Sequence, residues 1–352
     1  MPTSRDVAQK AGVSQATVSR VLSNHPMVAE ALRLRVREAI RELGYTPNAA
    51  ARSMRTGSTG NIGVVTARLD NPVYPRILQL LGRELRHAGF RMVVWNSDAT
   101  DDDAAADAAR QGIVDGIIFT TATAASTRLY EAVTSSIPVV LINRTVESWP
   151  CDQVESDNHA GGKAVARYFL GAGRRRIGLI GGPPAASTIR SREAGFREGL
   201  LEGGVGPDQL LTVQAEIFSH EAGREAMRRL LATPSPAATV FCVNDVLALG
   251  ACDAARVAGV RIPHDLWIVG YDDIEMASWP AFDLTTVHQP LDQMAQDAVR
   301  LLTARVAGKG EGHEHLCLPN DLVIRGSTGH EPIGEQRQPA RARARSPKGG
   351  KQ

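Results

Sequence analysis

Within residues 6–20, Asp-Val-Ala-Gln-Lys-Ala-Gly-Val-Ser-Gln-Ala-Thr-Val-Ser-Arg, four side chains have types and spacing that suit reading the edges of base pairs. Gln15 and Ser19, and Ala16 and Arg20, stand four apart, so on a helix they share one face. An arginine can take guanine O6 and N7 together, a glutamine suits adenine, and an alanine methyl can meet a thymine methyl. A second constellation is scattered through the rest of the chain, where polar residues follow apolar runs: Asp70, Asn71 and Tyr74, then Asp157, Asn244 with Asp245, Asp272 with Asp273, and Gln289. Arg192 follows a Gly-Gly-Pro-Pro loop and is expected to open a helix. Carboxylates, amides, one arginine and an aromatic plate converging on a cleft would suit a polyhydroxylated small molecule.

Reactive chemistry is not indicated. Residues 178–184 lack the G-x-x-x-x-G-K-[ST] of a phosphate loop, no G-x-G-x-x-G opens a helix at a first strand, and there is no G-x-S-x-G elbow. Cys151, Cys242, Cys252 and Cys317 have no metal-ligand spacing and read as reduced, mostly buried side chains. Asp101–Asp103 reads as a helix-start charge cluster, and His313 and His315 make at most a weak metal pair. No enzyme, metal or cofactor is expected.

The reading residues need a scaffold, and the N-terminus supplies one. Thr3 followed three residues later by Asp6 is a capping-box-like start. Val7, Ala8 and Ala11 form one apolar face, and Gly12 stops the helix where a left-handed residue is wanted. Ser14 caps a second helix whose buried face is Val18, Val21 and Leu22. A third helix over 30–43 has Ala31, Leu32, Val36, Ala39, Ile40 and Leu43 as apolar positions and carries four arginines. Two short helices with a polar second face form a device for entering the DNA major groove. The alternative is an amphipathic hairpin whose polar face meets only water.

Charge is divided unevenly. Residues 1–57 carry nine Lys or Arg against four Asp or Glu, residues 58–327 carry 25 against 32, and the last 25 residues carry six against two. The whole-chain net of +2 therefore hides a basic head on an acidic body, which points to phosphate contact at the head. The length of 352 residues calls for two or three domains. No apolar run approaches a membrane span and no secretion signal is visible, so a cytoplasmic, nucleoid-associated protein without membrane contact is expected.

The body alternates short apolar runs with helical patterns. Strands are expected at 62–66, 91–96, 116–119, 138–142, 151–155, 176–180, 239–243 and 266–269. Helices are expected at 76–88, 159–170, 192–202, 221–231 and 246–258. Such a pattern means α/β architecture with parallel sheets covered on both faces, and there are enough strands for two lobes.

The run Thr17–Leu22, Thr-Val-Ser-Arg-Val-Leu, and the segment Tyr45–Met54, Tyr-Thr-Pro-Asn-Ala-Ala-Ala-Arg-Ser-Met, resemble the lactose-repressor/galactose-repressor family of bacterial transcription regulators. The resemblance covers about residues 3 to 328. It implies a helix-turn-helix headpiece at 1–47, a hinge helix and linker at 48–59, and a two-lobed periplasmic-binding-protein-like core at 60–328. Lobe one would hold about 60–158 and 290–317, and lobe two about 159–288 and 321–325. In the family the hinge orders on operator DNA and wedges a leucine into the minor groove. That position is Met54 here, which is still apolar. Ala29 departs from the family's Ser or Thr cap on the third helix.

The resemblance implies a ligand-responsive repressor that grips a palindromic double-stranded DNA operator as a homodimer. The expected DNA-binding residues are Thr3, Ser4, Arg5, Ser14, Gln15, Ala16, Thr17, Ser19, Arg20, Asn24, Asn48, Ala51, Met54 and Arg55. The family's effector contacts fall on Arg192, Asn244, Asp272 and Gln289, with Phe218 as a stacking aromatic, and Tyr74 and Asp157 complete the expected set. A sugar or sugar derivative is the favoured effector. His159 falls on a position that sugar-binding members can fill with Asp.

Several residues have a second reading. Asp157 either faces the ligand or caps the helix that follows it, and Arg192 either faces the ligand or only joins the lobes. Asp245 and Asp273 read as helix caps. Residues 329–352 read as a disordered basic tail, either adding DNA affinity or simply solvated. A sugar-binding protein serving a transporter would need an export signal and no DNA contact, and residues 1–57 contradict both.

Overall fold

A computed structural model describes residues 2–23, 25–46, 57–96, 107–108, 110–134 and 137–329. The expected contacts Asn24, Asn48, Ala51, Met54 and Arg55, the Asp101–Asp103 cluster and the basic tail beyond 329 lie outside the described residues.

The headpiece is three helices, α1 (Ser4–Ala11), α2 (Gln15–Leu22) and α3 (Glu30–Leu43). Local chemistry sets their ends. Asp6 N–H donates to Thr3 Oγ1 at 3.4 Å while Thr3 N–H donates to Asp6 Oδ2 at 2.7 Å, a full capping box. Gly12 then turns left-handed at φ 61°, and Ser14 Oγ accepts from Thr17 N–H at 3.1 Å to start α2. Val7, Ala8, Ala11, Val18, Val21, Val36 and Ala39 make the core. Leu22, expected inside, is 38% exposed, because this core of small side chains closes before the last residue of α2. Ala29 precedes α3 without a side-chain cap, as its alanine dictates.

The body consists of two six-stranded sheets. One runs β11-β5-β4-β3-β1-β2, with β1 (Asn61–Thr66), β2 (Arg91–Asn96), β3 (Gly116–Phe119), β4 (Val139–Ile142), β5 (Asp152–Ser156) and β11 (His315–Leu318), all parallel. The other runs β12-β10-β9-β8-β6-β7, with β6 (Ile177–Gly181), β7 (Leu210–Gln214), β8 (Thr239–Cys242), β9 (Trp267–Asp272), β10 (Thr285–His288) and β12 (Asp321–Val323). Among the described residues only the β10–β12 pair is antiparallel. β3, β4, β6 and β8 are buried throughout, as strands covered by helices on both faces must be.

The body helices are α4 (Val73–His87), α5 (Thr127–Thr134), α6 (Asn158–Gly171), α7 (Ser187–Glu202), α8 (His220–Leu231), α9 (Asp245–Val257) and α10 (Leu291–Val306). Helix α7 begins five residues before the expected start, so Arg192 lies in its second turn and does not open it. The residues after the Pro-Pro pair, Ala-Ala-Ser-Thr-Ile, include its uncapped first turn. Among the described residues no helix is long and apolar enough to cross a membrane.

The chain passes between the sheets three times, at 156–158, 288–291 and 318–321. These crossovers are tied to one another. Ser156 Oγ donates to Gln289 Oε1 at 2.9 Å, Asp157 N–H donates to Leu318 O at 2.7 Å, and Asn320 Nδ2 donates to Asp157 O at 2.7 Å. The lobes therefore meet at a short, hydrogen-bonded hinge.

Candidate DNA-reading face and effector cleft

On the headpiece, Thr3, Arg5, Ser14, Gln15, Ala16 and Arg20 are exposed, and Ser4, Thr17 and Ser19 are half-buried. Several of the hydroxyls also serve the fold. Thr3 Oγ1 donates to Asp6 Oδ2 at 2.9 Å, and the Ser14 and Thr17 hydroxyls share a 3.0 Å bond. The Gln15 amide donates to Ser4 Oγ at 3.5 Å, joining the starts of α1 and α2. Arg35 reaches across from α3 to donate to Ala11 O at 2.6 Å, locking the turn that sets the angle between α1 and α2. What remains outermost is a small face bearing Gln15, Ala16 and Arg20 on α2.

The second site is a narrow cleft between the lobes, closed down to a cavity of about 20 Å³, room for little more than a water molecule. It is lined by Asn71, Val73 and Tyr74 from the start of α4, Asn143 and Arg144 after β4, Thr188, Ile189 and Arg192 from α7, and Phe218, Asn244 and Asp272. Five of the seven expected effector residues thus converge: Tyr74, Arg192, Phe218, Asn244 and Asp272. The lining also includes Asn143 and Arg144, which the sequence reading missed. Their signal was the one used elsewhere, polar residues directly after the carboxyl end of a parallel strand.

Arg192 is the centre of the polar wall and is only 3% exposed. Its Nε donates to Asn158 Oδ1 at 2.8 Å, its Nη1 donates to Val243 O at 2.8 Å, and Nη1 stands 3.0 Å from Asp272 Oδ1. The guanidinium also lies over the Tyr271 ring, 3.7 Å from its centroid. Helices α6 and α7 approach closely enough to place it because of glycine: a Cβ on Gly162 would strike the Arg192 carbonyl oxygen. Phe218 packs on Gly182 in the same way, its ring edge 2.5 Å from where a Cβ would stand.

Asp272 has a left-handed backbone, φ 117°, as does Asn143, φ 73°. Both line the cleft, where backbone strain is held by the surrounding fold. Burial pushes the Asp272 carboxyl above the usual carboxylate range, against the pull of Arg192. Asp245, wholly buried beneath, is pushed well above that range by its burial and then by the neighbouring charge of Asp272.

Neither Asp245 nor Asp273 caps a helix, contrary to expectation. Asn244 takes the cap of α9, its Oδ1 accepting from Leu247 N–H at 2.9 Å. Asp245 instead accepts from Ile274 N–H at 2.9 Å and from the Thr286 hydroxyl at 2.6 Å, pinning β9 to its neighbours. Asp273 pairs with Arg325 at 2.7 Å and His288 at 3.0 Å.

Asp157 and Gln289 stand outside the lining. Asp157 caps α6, its Oδ1 accepting from Ala160 N–H at 2.9 Å. Gln289 is 1% exposed, and its Nε2 donates to Asp272 Oδ1 at 2.7 Å while its Oε1 accepts from Ser156. It is the link from the cleft wall to the crossovers. His159 faces Glu198 at 3.0 Å, away from the lining.

A groove-reading headpiece on a two-lobed, cleft-bearing core defines a DNA-binding regulator with a small-molecule domain. Comparison with known proteins agrees. Residues 3–48 match "Bacterial regulatory proteins, lacI family", and residues 166–328 match "Periplasmic binding protein-like domain". The chain is 34% identical to the HTH-type transcriptional regulator DegA of Bacillus subtilis (strain 168), over 92% of this chain and 97% of that one. It is 32% identical to the ribose operon repressor of Escherichia coli (strain K12), over 93% and 100%. The lac repressor dimer bound to operator and the anti-inducer ONPF superposes with a TM-score of 0.83, at 26% identity over 94% and 99%. The CelR–cellobiose complex superposes with 0.71, at 30% identity over 93% and 100%.

The chain belongs to the LacI family of bacterial transcriptional repressors. It is a DNA-binding protein with a ligand-binding core, in a family of regulators and not of enzymes.

Proposed function

We propose that the protein is a homodimeric repressor that binds a palindromic operator and releases or tightens it in response to a polyhydroxylated ligand, a sugar or sugar derivative, acting in the cytoplasm. The observation that carries this reading is the convergence of Arg192, Asn244, Asp272 and Phe218 on one interlobe cleft, in a chain whose first three helices form a groove reader. Relatives named for ribose and solved with cellobiose support a sugar.

Two headpieces insert α2 into successive major grooves, with Gln15, Ala16 and Arg20 at base edges and Arg5, Thr3, Ser4, Ser14, Thr17, Ser19 and Asn24 around them. Asn48, Ala51, Met54 and Arg55 hold the minor groove at the dyad. Residues 1–47 are the headpiece, 48–59 the hinge and 60–328 the core.

Ligand contacts in the cleft act on Arg192 and Asp272. Asp272 is bound to Gln289, and Gln289 to Ser156 on another crossover. A ligand that favours one angle between the lobes therefore reaches two of the three crossovers through a single hydrogen-bonded chain, and that angle sets whether the hinges order on DNA.

A thermal-shift screen of sugars on the full chain, followed by footprinting, tests this. A true ligand raises the Tm increasingly with its concentration over Kd. A palindromic footprint whose protection changes with that ligand is the expected result. An operator footprint indifferent to every stabilising sugar would remove the switch.

A further inference from the structure

The cleft holds two arginines in unlike electrostatic settings. Arg192 is compensated by Asp272, which also accepts from Gln289. Arg144 lines the same cleft, half-buried, and among the described residues its guanidinium has neither a carboxylate nor a hydrogen-bond acceptor. Its Nε is shut off from solvent without a partner. A guanidinium has only donors and stays charged, so such a site leaves both charge and hydrogen-bonding capacity unused. Arg224 Nε is also unpartnered, but that guanidinium is paired with Glu221 at 3.1 Å. Arg144 has no such pair.

Among the described residues, the surroundings of Arg144 do not offset the charge. The adjacent Asn143 is a neutral amide, with Nδ2 donating to Thr120 O at 3.4 Å. The facing wall is Thr188 and Ile189, in the first turn of α7. That turn has no acidic residue and no side-chain cap at Ala186, so the partial positive charge of the helix start adds to that of Arg144. The two sides are already joined, since Thr145 N–H donates to Ser187 Oγ at 3.0 Å. One carboxylate, Asp272, thus lines a cleft with two guanidiniums and a helix N-terminus.

Resting on the reading of this cleft as the effector site, we infer that the effector carries an anionic group, a carboxylate or a phosphate, which Arg144 receives. The polyhydroxylated part then lies toward Asn244, Asp272 and Phe218. The ligand class is a sugar acid or sugar phosphate, and its anion supplies the acceptor that Arg144 lacks among the described residues.

Calorimetric titration of the full chain with matched sets tests the inference. Each set holds a neutral aldose, its aldonate or uronate, and its phosphate ester, for ribose, glucose and galactose. In at least one set the acid or the phosphate is expected to bind about tenfold or more tighter than the neutral parent, about 1.4 kcal/mol. The two anionic arms tell carboxylate from phosphate. Arg144→Gln should weaken the anionic members of a set far more than the neutral parent and so erase that preference, and Arg144→Lys should restore part of it. The wild-type ranking needs no variant to fold. A neutral sugar binding as tightly as its anionic partners overturns the inference and leaves the sugar-responsive repressor standing. Failure of every compound in all three sets overturns both.

Discussion

On the headpiece, Gln15, Ala16 and Arg20 are exposed and lie within one eight-residue helix, α2. In the cleft, Arg192, Asn244 and Asp272 are buried, come from separate elements, and already hold one another or the backbone. The first site is built for a partner that arrives with its own ordered array of donors and acceptors, so its side chains can be left in water. The second must stay folded without a ligand, so its polar groups satisfy each other first. The same residue type therefore carries different consequences in the two places. In the proposed reading, Arg20 would serve function alone, whereas Arg192 would serve function and stability together.

Substitutions that separate those roles would break or sharpen this contrast. Arg192→Ala leaves Asp272 buried without its cation and frees Asn158 and Val243 O. Loss of one partner of a buried pair costs about 3–5 kcal/mol. Urea unfolding of the variant should show that loss together with a lost ligand response, and operator binding should persist below the unfolding transition. A variant as stable as the parent would mean that the cleft does not support itself as described.

Arg20→Ala should leave urea unfolding within about 0.5 kcal/mol of the parent, as an exposed change does. Its discrimination between operator and random DNA should fall by about 1–3 kcal/mol, measured by competition binding. Equal discrimination would move the reading contact off α2. Gly12→Ala comes next, since φ 61° costs a non-glycine residue about 1–2 kcal/mol and the new Cβ would meet Arg35 Nη2 at 2.9 Å. A lowered headpiece Tm with an unaltered core transition checks it. The smallest effect is a gain: Ala29→Ser supplies the missing cap of α3 and should raise headpiece stability by about 1 kcal/mol.

The contrast also explains what was legible in the sequence. The headpiece is local: Thr3 with Asp6, Gly12 and Ser14 announce their own turns, and all three act as their types require. Strands of unbroken apolar residues, such as Val139–Ile142, were equally plain. β10 was not, because its Thr285 and Thr286 are buried through bonds to Thr328 and Asp245, partners far along the chain. β7 was missed as an edge strand with one solvated side.

In the cleft, the residue types were readable but their division of labour was not. Asp245 looked like a cap and became a clasp, while the cap fell to Asn244 one residue earlier. Gln289 read as a ligand contact and stands behind Asp272 as its link to Ser156. Arg144 passed unnoticed because only the assembled cleft shows that it has no counter-charge among the described residues.

The central claim is that occupancy of the cleft and occupancy of the operator are coupled. Its most direct test is fluorescence anisotropy of a labelled palindromic operator titrated with the full chain, with and without a saturating sugar or sugar acid already shown by calorimetry to bind. The account predicts a change in operator affinity of about 5- to 150-fold, and an equal factor in ligand affinity when the operator is bound first. A ligand that binds the cleft and leaves operator affinity unchanged would contradict it.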